Sequence, residues 1–157
     1  MTAVTYRIRI AGPGDVEAIR NLVRAAYRDY VPRIGREPAP MAADYEQLVD
    51  AGVVRVVAQD AEDAPIVGVL VIMPMPDHLF LETIAVEPVL HGRGIGRLLM
   101  AHAEDEAYVM GLPEIRLYTN GRMTENLRWY PRLGYEETGR HHEDGFDRVY
   151  FRKQLPT

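Results

Sequence analysis

The chain contains no cysteine among its 157 residues. That absence excludes disulfides, thiolate metal sites and a cysteine nucleophile, and it fits a reducing compartment. Long apolar runs are missing too. No stretch approaches the ~20 apolar residues that a membrane helix requires, and Met1-Thr2-Ala3-Val4-Thr5-Tyr6-Arg7 lacks the apolar core of a signal peptide. Nor is there a basic excess: 18 Lys and Arg stand against 23 Asp and Glu, a net charge of -5. Nucleic-acid binding normally needs a basic face, so neither nucleic acid nor membrane is expected as a partner. A cytoplasmic location is expected. No repeat, low-complexity tract or long linker divides the chain, and residues 1–157 read as one domain.

What is present is periodicity. Tyr6, Ile8 and Ile10 alternate with Arg7 and Arg9, the pattern of a half-buried first strand. Gly12-Pro13-Gly14-Asp15 then opens a helix on which Val16, Ile19, Val23, Ala26, Tyr27 and Tyr30 recur at helical spacing. Val31-Pro32 is expected to end that helix, and residues 31–40, with three prolines and a glycine, to form an irregular connection. A shorter helix is expected over residues 41–50. Residues 53–59, 66–73 and 79–86 are β-branched apolar runs expected as strands. A long helix follows, with Ile95, Leu98, Leu99, Ala103, Ala107 and Met110 on one face and Gly111 as its stop. Then come a strand at 115–119, a helix at 123–132 stopped by Gly134, and strands at 135–140 and 146–154 around an Asp144-Gly145 turn. The order β-α-α-β-β-β-α-β-α-β-β gives an α/β fold (α+β in some schemes). Its centre is a mixed, mostly antiparallel sheet of about seven strands with helices on both faces.

Between the strand at 79–86 and the long helix lies His91-Gly92-Arg93-Gly94-Ile95-Gly96. A glycine loop at a strand-to-helix junction aims backbone N–H groups and a positive helix end at one small volume, which suits phosphate oxygens. The same glycines would also serve a simple tight turn. The Gly-Lys-Ser/Thr ending of a nucleotide P-loop is absent, and Arg97 stands where a dinucleotide fingerprint has its third glycine.

The loop together with the run before it, Glu82-Thr83-Ile84-Ala85-Val86-Glu87-Pro88, and the later segment Asn126-Leu127-Arg128-Trp129-Tyr130-Pro131-Arg132-Leu133-Gly134-Tyr135 resembles the GNAT family of N-acetyltransferases. The matching patterns are a strand ending Ala-Val-x-Pro, a Gln/Arg-x-x-Gly-x-Gly/Ala helix start, and Asn-x-x-x-Tyr-x-x-x-Gly-Phe. The resemblance covers essentially the whole chain, strand order included, and implies the acyl-coenzyme A N-acyltransferase fold. One position departs: His91 stands where the family has Gln or Arg.

The resemblance implies that acetyl-coenzyme A is the co-substrate, that a primary amine attacks it directly in a ternary complex, and that no metal takes part. Ile84, Ala85 and Val86 would pair with the pantetheine arm, and a strand N–H there would hold the thioester carbonyl. Gly92, Arg93, Gly94, Ile95, Gly96 and Arg97 would hold the pyrophosphate. Asn126 would touch the pantetheine, or is simply a polar residue near a Thr124 helix cap. Tyr130 would protonate the leaving thiolate, or is a core aromatic. Glu82, on strict alternation, shares a face with Phe80, Ile84 and Val86; it would act as base, or pair with an arginine while ordered water serves. Residues 31–40 and 139–145 would border the acceptor pocket. His141-His142-Glu143-Asp144 reads as a turn, His102 with Asp105 and Glu106 as a solvated helix face, and Tyr27, Tyr30 and Arg33 as helix-end packing or acceptor contacts. Family members are often dimers, which is compatible with a homodimer here. A non-catalytic acyl-coenzyme A sensor on the same fold is the alternative function.

Overall fold

The computed structural model describes residues 4–156; residues 1–3, part of the segment read above for a leader, and Thr157 lie outside the described residues. Among the described residues, β1 (Tyr6–Ile10), β2 (Val54–Gln59), β3 (Ile66–Pro74), β4 (Leu79–Val86), β5 (Glu114–Asn120), β6 (Glu136–Glu143) and β7 (Phe146–Gln154) form one sheet in the order β1-β2-β3-β4-β5-β7-β6. Every neighbouring pair is antiparallel except β4 with β5. The helices are α1 (Val16–Tyr27), α2 (Val31–Ile34), α3 (Tyr45–Asp50), α4 (Ile95–Val109) and α5 (Thr124–Arg132). No helix among the described residues is long and apolar enough to cross a membrane.

The two faces carry separate cores. On one, Ile19, Leu22 and Val23 of α1 with Tyr45 and Val49 of α3 pack on Val54, Val56, Val69 and Val71. On the other, Ile95, Leu99, Met100, Ala103 and Ala107 of α4 pack on Leu70, Ile72, Leu79 and Leu81, and this core runs on through Leu117 and Phe151 to Tyr130 of α5. β3 is central and feeds both, which explains why its sequence reads as a continuous apolar run. Gly68 lets α4 approach β3: a Cβ there would lie 2.6 Å from Val57 Cγ1 and 3.1 Å from Leu99 Cδ1.

Two irregularities shape the site. The parallel pairing of β4 with β5 extends only from Leu79↔Ile115 to Leu81↔Leu117, after which the strands separate. At the same point the β3–β4 register steps from Ile72↔Leu81 to Val71↔Thr83, so Glu82 is an extra residue in a β-bulge. The bulge reverses the side-chain parity of β4. Ile84 and Val86 join Leu79 and Leu81 on the α4 face, whereas Phe80 packs at 5.7 Å from the Tyr118 ring on the other. Glu82 therefore does not share a face with Ile84 and Val86, as uninterrupted alternation requires. Its charge is felt by Tyr118 and Tyr45 on the α1–α3 side.

Other expectations are corrected locally. Ile10 is 61% exposed, at the end of an edge strand. Val31-Pro32 does not stop the chain from coiling: α1 passes through a 3-10 turn at Arg28–Tyr30 into α2, where Pro32 occupies a first-turn position that needs no N–H donor. The next helix begins late, at Tyr45, because Asp44 caps it by accepting from Gln47 N at 3.1 Å. Thr124 is the first residue of α5 and not its cap, which falls on Met123.

Of the face of α4 expected to be solvated, Asp105 is exposed, but Glu106 and His102 are engaged. Glu106 accepts from Arg55 Nε at 2.9 Å and Nη2 at 3.0 Å, and His102 Nε2 lies 2.6 Å from it. Burial alone would raise the Glu106 carboxyl; the Arg55 hydrogen bonds and charge, with His102, hold it below the ordinary range. Removing one partner of such a pair strands the other. Glu106→Ala is expected to lower unfolding stability by about 2–4 kcal/mol at pH 7, seen as a lower urea midpoint at unchanged m. A depressed carboxyl stabilises above its unfolded pKa, so the deficit relative to wild type should close as pH falls through the folded value. A midpoint within error of wild type at pH 7 contradicts this.

Candidate active site

Where β4 leaves β5, the end of α1, the start of α4 and one side of α5 enclose a cleft. It holds a cavity of about 700 Å³ along the glycine loop and a second of about 70 Å³ beside the bulge. Tyr27, Ile84 and Asn126 line both.

The large cavity is built on the loop. After Val86 a short 3-10 turn at Pro88–Leu90 leads into Gly92 (φ 81°) and Gly94 (φ 84°), left-handed conformations that a side chain would strain. Gly94 caps α4 without a side chain to satisfy it, so the first-turn N–H groups of Ile95, Gly96 and Arg97 have no intrahelical acceptor. Gly92, Gly94, Ile95, Gly96 and Arg97 line the cavity. Arg93 does not: its N–H is turned to Leu90 O at 3.3 Å. Gly96 serves a close approach, since a Cβ there would stand 3.2 Å from the Trp129 ring. Arg128 and Arg132, four apart on α5, complete a cationic rim with Arg97, none of them ion-paired among the described residues.

The open edge of β4 forms the floor between the cavities. Tyr27 Oη donates to Ile84 O at 3.0 Å, and His91 Nε2 lies 3.1 Å from Val86 O. Both carbonyls thus point away from β3. Because backbone direction alternates along a strand, the N–H groups of Ile84 and Val86 face the cleft, while those of Ala85 face β3. His91 spends its ring on the strand, which gives the residue that departs from the family pattern a local task.

The small cavity gathers distant segments: Pro38 to Pro40, Glu82, Tyr118, Tyr130, Phe146 and Arg148. Glu82 Oε2 is buried with no hydrogen-bond partner, and burial pushes its carboxyl above the ordinary range. Tyr130 is 3% exposed, its ring packed 5.2 Å from Trp129, 5.9 Å from Tyr135 and 5.7 Å from Phe151. Burial, reinforced by neighbouring tyrosines, raises its phenol far above the ordinary value, so it keeps its proton. Asn126 Nδ2 donates to Thr119 Oγ1 at 3.1 Å, fixing the amide in the shared wall.

The α1 end is clasped to α5. Tyr30 Oη donates to Glu125 at 2.8 Å, and Arg33 reaches Glu125 at 3.1 Å, Thr124 Oγ1 at 3.1 Å and Arg122 O at 2.9 Å. Burial first, then the Glu125 hydrogen bond, pushes the Tyr30 phenol up to about 12. Of the segments 31–40 and 139–145, only 38–40 line the small cavity; 139–145 do not, though Phe146 and Arg148 just beyond them do. His142 Nδ1 instead lies 2.8 Å from Asp147, and His141 meets Tyr150 edge-on. Tyr27, read from the sequence as helix-end packing or an acceptor contact, lines both cavities, whereas Trp129, Arg128, Arg132, Tyr118 and Arg148 carry no readable signal for the site. They enter it through contacts across the fold, with only the i, i+4 arginines of α5 visible as a pattern.

The sequence model of the acetyltransferase (GNAT) family matches residues 16–135. No curated protein sequence matches significantly. Among solved structures, the chain is similar to the PaiA N-acetyltransferase of Thermoplasma acidophilum in complex with coenzyme A (16% identity, 96% of this chain and 99% of that one, TM-score 0.76). It is also similar to a GNAT acetyltransferase of Listeria monocytogenes (21%, 96% and 95%, 0.74). A third is the ribosomal-protein-S18-alanine N-acetyltransferase of Escherichia coli (17%, 98% and 96%, 0.73). At these identities the structural likeness speaks for the fold.

Proposed function

The chain belongs to the acetyltransferase (GNAT) family, and from that premise we propose that it moves the acetyl group of acetyl-coenzyme A to a primary amine by direct attack in a ternary complex. The observation that carries this reading is the pair of cavities meeting at Ile84, one with orphaned helix-start N–H groups, the other with an unpartnered buried carboxylate. Phosphates fit the first: Gly92, Gly94, Ile95, Gly96 and Arg97 offer backbone donors, and Arg97, Arg128 and Arg132 offer charge in a chain of net charge -5. The pantetheine arm fits the open β4 edge, with Ile84 and Val86 giving hydrogen bonds, Ala85 giving only surface, and Asn126 closing the opposite wall.

The residues then divide the proton work. Glu82 takes a proton from the incoming ammonium. The free amine attacks the thioester carbonyl, whose oxygen is met by an N–H of the Ile84–Val86 edge. As the C–S bond breaks, Tyr130 donates to sulfur, and the proton that nitrogen loses on becoming an amide restores the phenol. The proton on Glu82 leaves to solvent. We take residues 1–157 as a single domain acting in the cytoplasm, as a monomer or a homodimer, and these steps call on no metal.

Thiol release from acetyl-coenzyme A with a panel of primary amines tests the proposal: amine-dependent release is expected, and its absence with tight calorimetric binding would favour the non-catalytic sensor. Reversing the rim charge in an Arg128→Glu, Arg132→Glu double variant is expected to raise KM for acetyl-coenzyme A by roughly tenfold or more, with kcat changed less. An unaltered KM sinks the rim's role in donor binding.

A further inference from the structure

The small cavity contains two opposite charges with unused bonding capacity. One is Glu82, whose Oε2 has no partner. The other is Arg148, 12% exposed at the side chain. Its Nη1 donates to Asp144 Oδ2 at 3.0 Å and lies 3.6 Å from Glu143 Oε1. Its guanidinium stacks 4.4 Å from the Tyr118 ring and 5.6 Å from the Phe146 ring. Nε and Nη2 donate to nothing among the described residues, yet they are not sealed off, because the side chain lines the cavity. A stacked guanidinium held by one nitrogen keeps the planar fork of the others in place for a carboxylate.

We propose that the acceptor is an amine that also bears a carboxylate, a small amino acid, whose ammonium meets Glu82 while its carboxylate meets Arg148. This rests on the acetyl-transfer reading above. The size agrees: a cavity of about 70 Å³ beside the bulge suits a small acceptor such as an amino acid. The walls agree as well, since Tyr118 and Phe146 cover both the Arg148 plane and any short side chain. Asp144 and Glu143 already offset much of the Arg148 charge, so selectivity comes from directed hydrogen bonds. Sites built on such bonds reject analogues that lack the partner group.

The test compares amino acids with their carboxamides as acceptors in the thiol-release assay, for wild type, Arg148→Met and Arg148→Lys. For wild type, kcat/KM is expected to favour the acid at least about tenfold. The acid-to-amide ratio, which is insensitive to overall losses, should fall at least about tenfold from its wild-type value in Arg148→Met and recover partly in Arg148→Lys. A wild-type ratio near or below one, with amides turned over well, overturns the carboxylate assignment and leaves acetyl transfer standing. A ratio that survives Arg148→Met removes Arg148 from it. No amine-dependent release from any acceptor overturns this proposal together with the acetyl-transfer reading.

Discussion

Replacing Tyr130 by Phe is expected to lower kcat on the order of 10²-fold, with KM for acetyl-coenzyme A held within about threefold. The substitution deletes one oxygen and keeps the ring that packs against Trp129, Tyr135 and Phe151, so the fold loses little and the melting temperature should hold. What goes is the donor. The leaving thiolate, with a pKa of about 8.5 on the cysteine scale, must be met by a proton or a hydrogen bond as the C–S bond opens. A phenol raised by burial is a poor acid in the ground state, and its value lies in being fully protonated and aimed. The phenol gives its proton up only as charge appears on sulfur, and an interaction made only then acts on kcat. Wild-type turnover in this variant removes Tyr130 from the chemistry and returns it to the core.

Glu82→Gln is expected to lower kcat/KM toward an alkylamine acceptor by a comparable factor at pH 7, roughly 10²-fold. An amine of pKa about 10.4 is neutral once in roughly 2,500 molecules at that pH, and without a base only that fraction attacks. Burial raises the Glu82 carboxyl, so the base is lost below that elevated value: the wild-type rate should fall on its acidic limb at a pH above the ordinary carboxylate range, and the limb should vanish in the variant. An acceptor whose amine ionises near 8 should feel the substitution far less. The same shift has a second sign. A carboxyl raised in the folded state favours the fold while protonated and opposes it once ionised. The glutamine variant should therefore melt higher than wild type at pH 7 to 8, with the gain disappearing as pH drops below the unfolded carboxyl's value. A variant with an unshifted acidic limb and an unshifted melting point would show Glu82 to be neither base nor strained.

Much of this architecture is legible in the residues because local chemistry decides it. The β-branched runs at 66–73 and 79–86, the Asp144-Gly145 turn with both φ values positive, and the Gly111 and Gly134 stops all fall where propensity places them. The glycine loop is legible for the same reason. The failures are long-range. Arg55 and Glu106 are 51 residues apart, and nothing in the acidic stretch of α4 announces an arginine from β2. The small cavity draws on residues near 27, 38, 82, 118, 130 and 148, so its composition exists only after the sheet assembles. Pro32 looks like a stop because prolines usually are, yet at the start of a new turn it has no hydrogen bond to forfeit. Strict alternation puts Glu82 on the wrong face, since an extra residue is invisible until the register with β3 counts it.

That extra residue has an evolutionary corollary. Upstream of Glu82 the strand is in one phase and downstream in the other, and the loop that follows inherits the second. Exchanging Glu82 for another side chain alters a group; deleting it would turn Ile84 and Val86 toward α1, present the backbone of Ala85 to the cleft, and rotate the loop's entry out of line with α4. Descent can therefore change what stands at this position only at a cost to the proton work of Glu82, and cannot remove it without throwing the strand out of phase. Among related chains the column should admit no gap, and its letter should change only where the acceptor changes with it, while the donor side stays in frame.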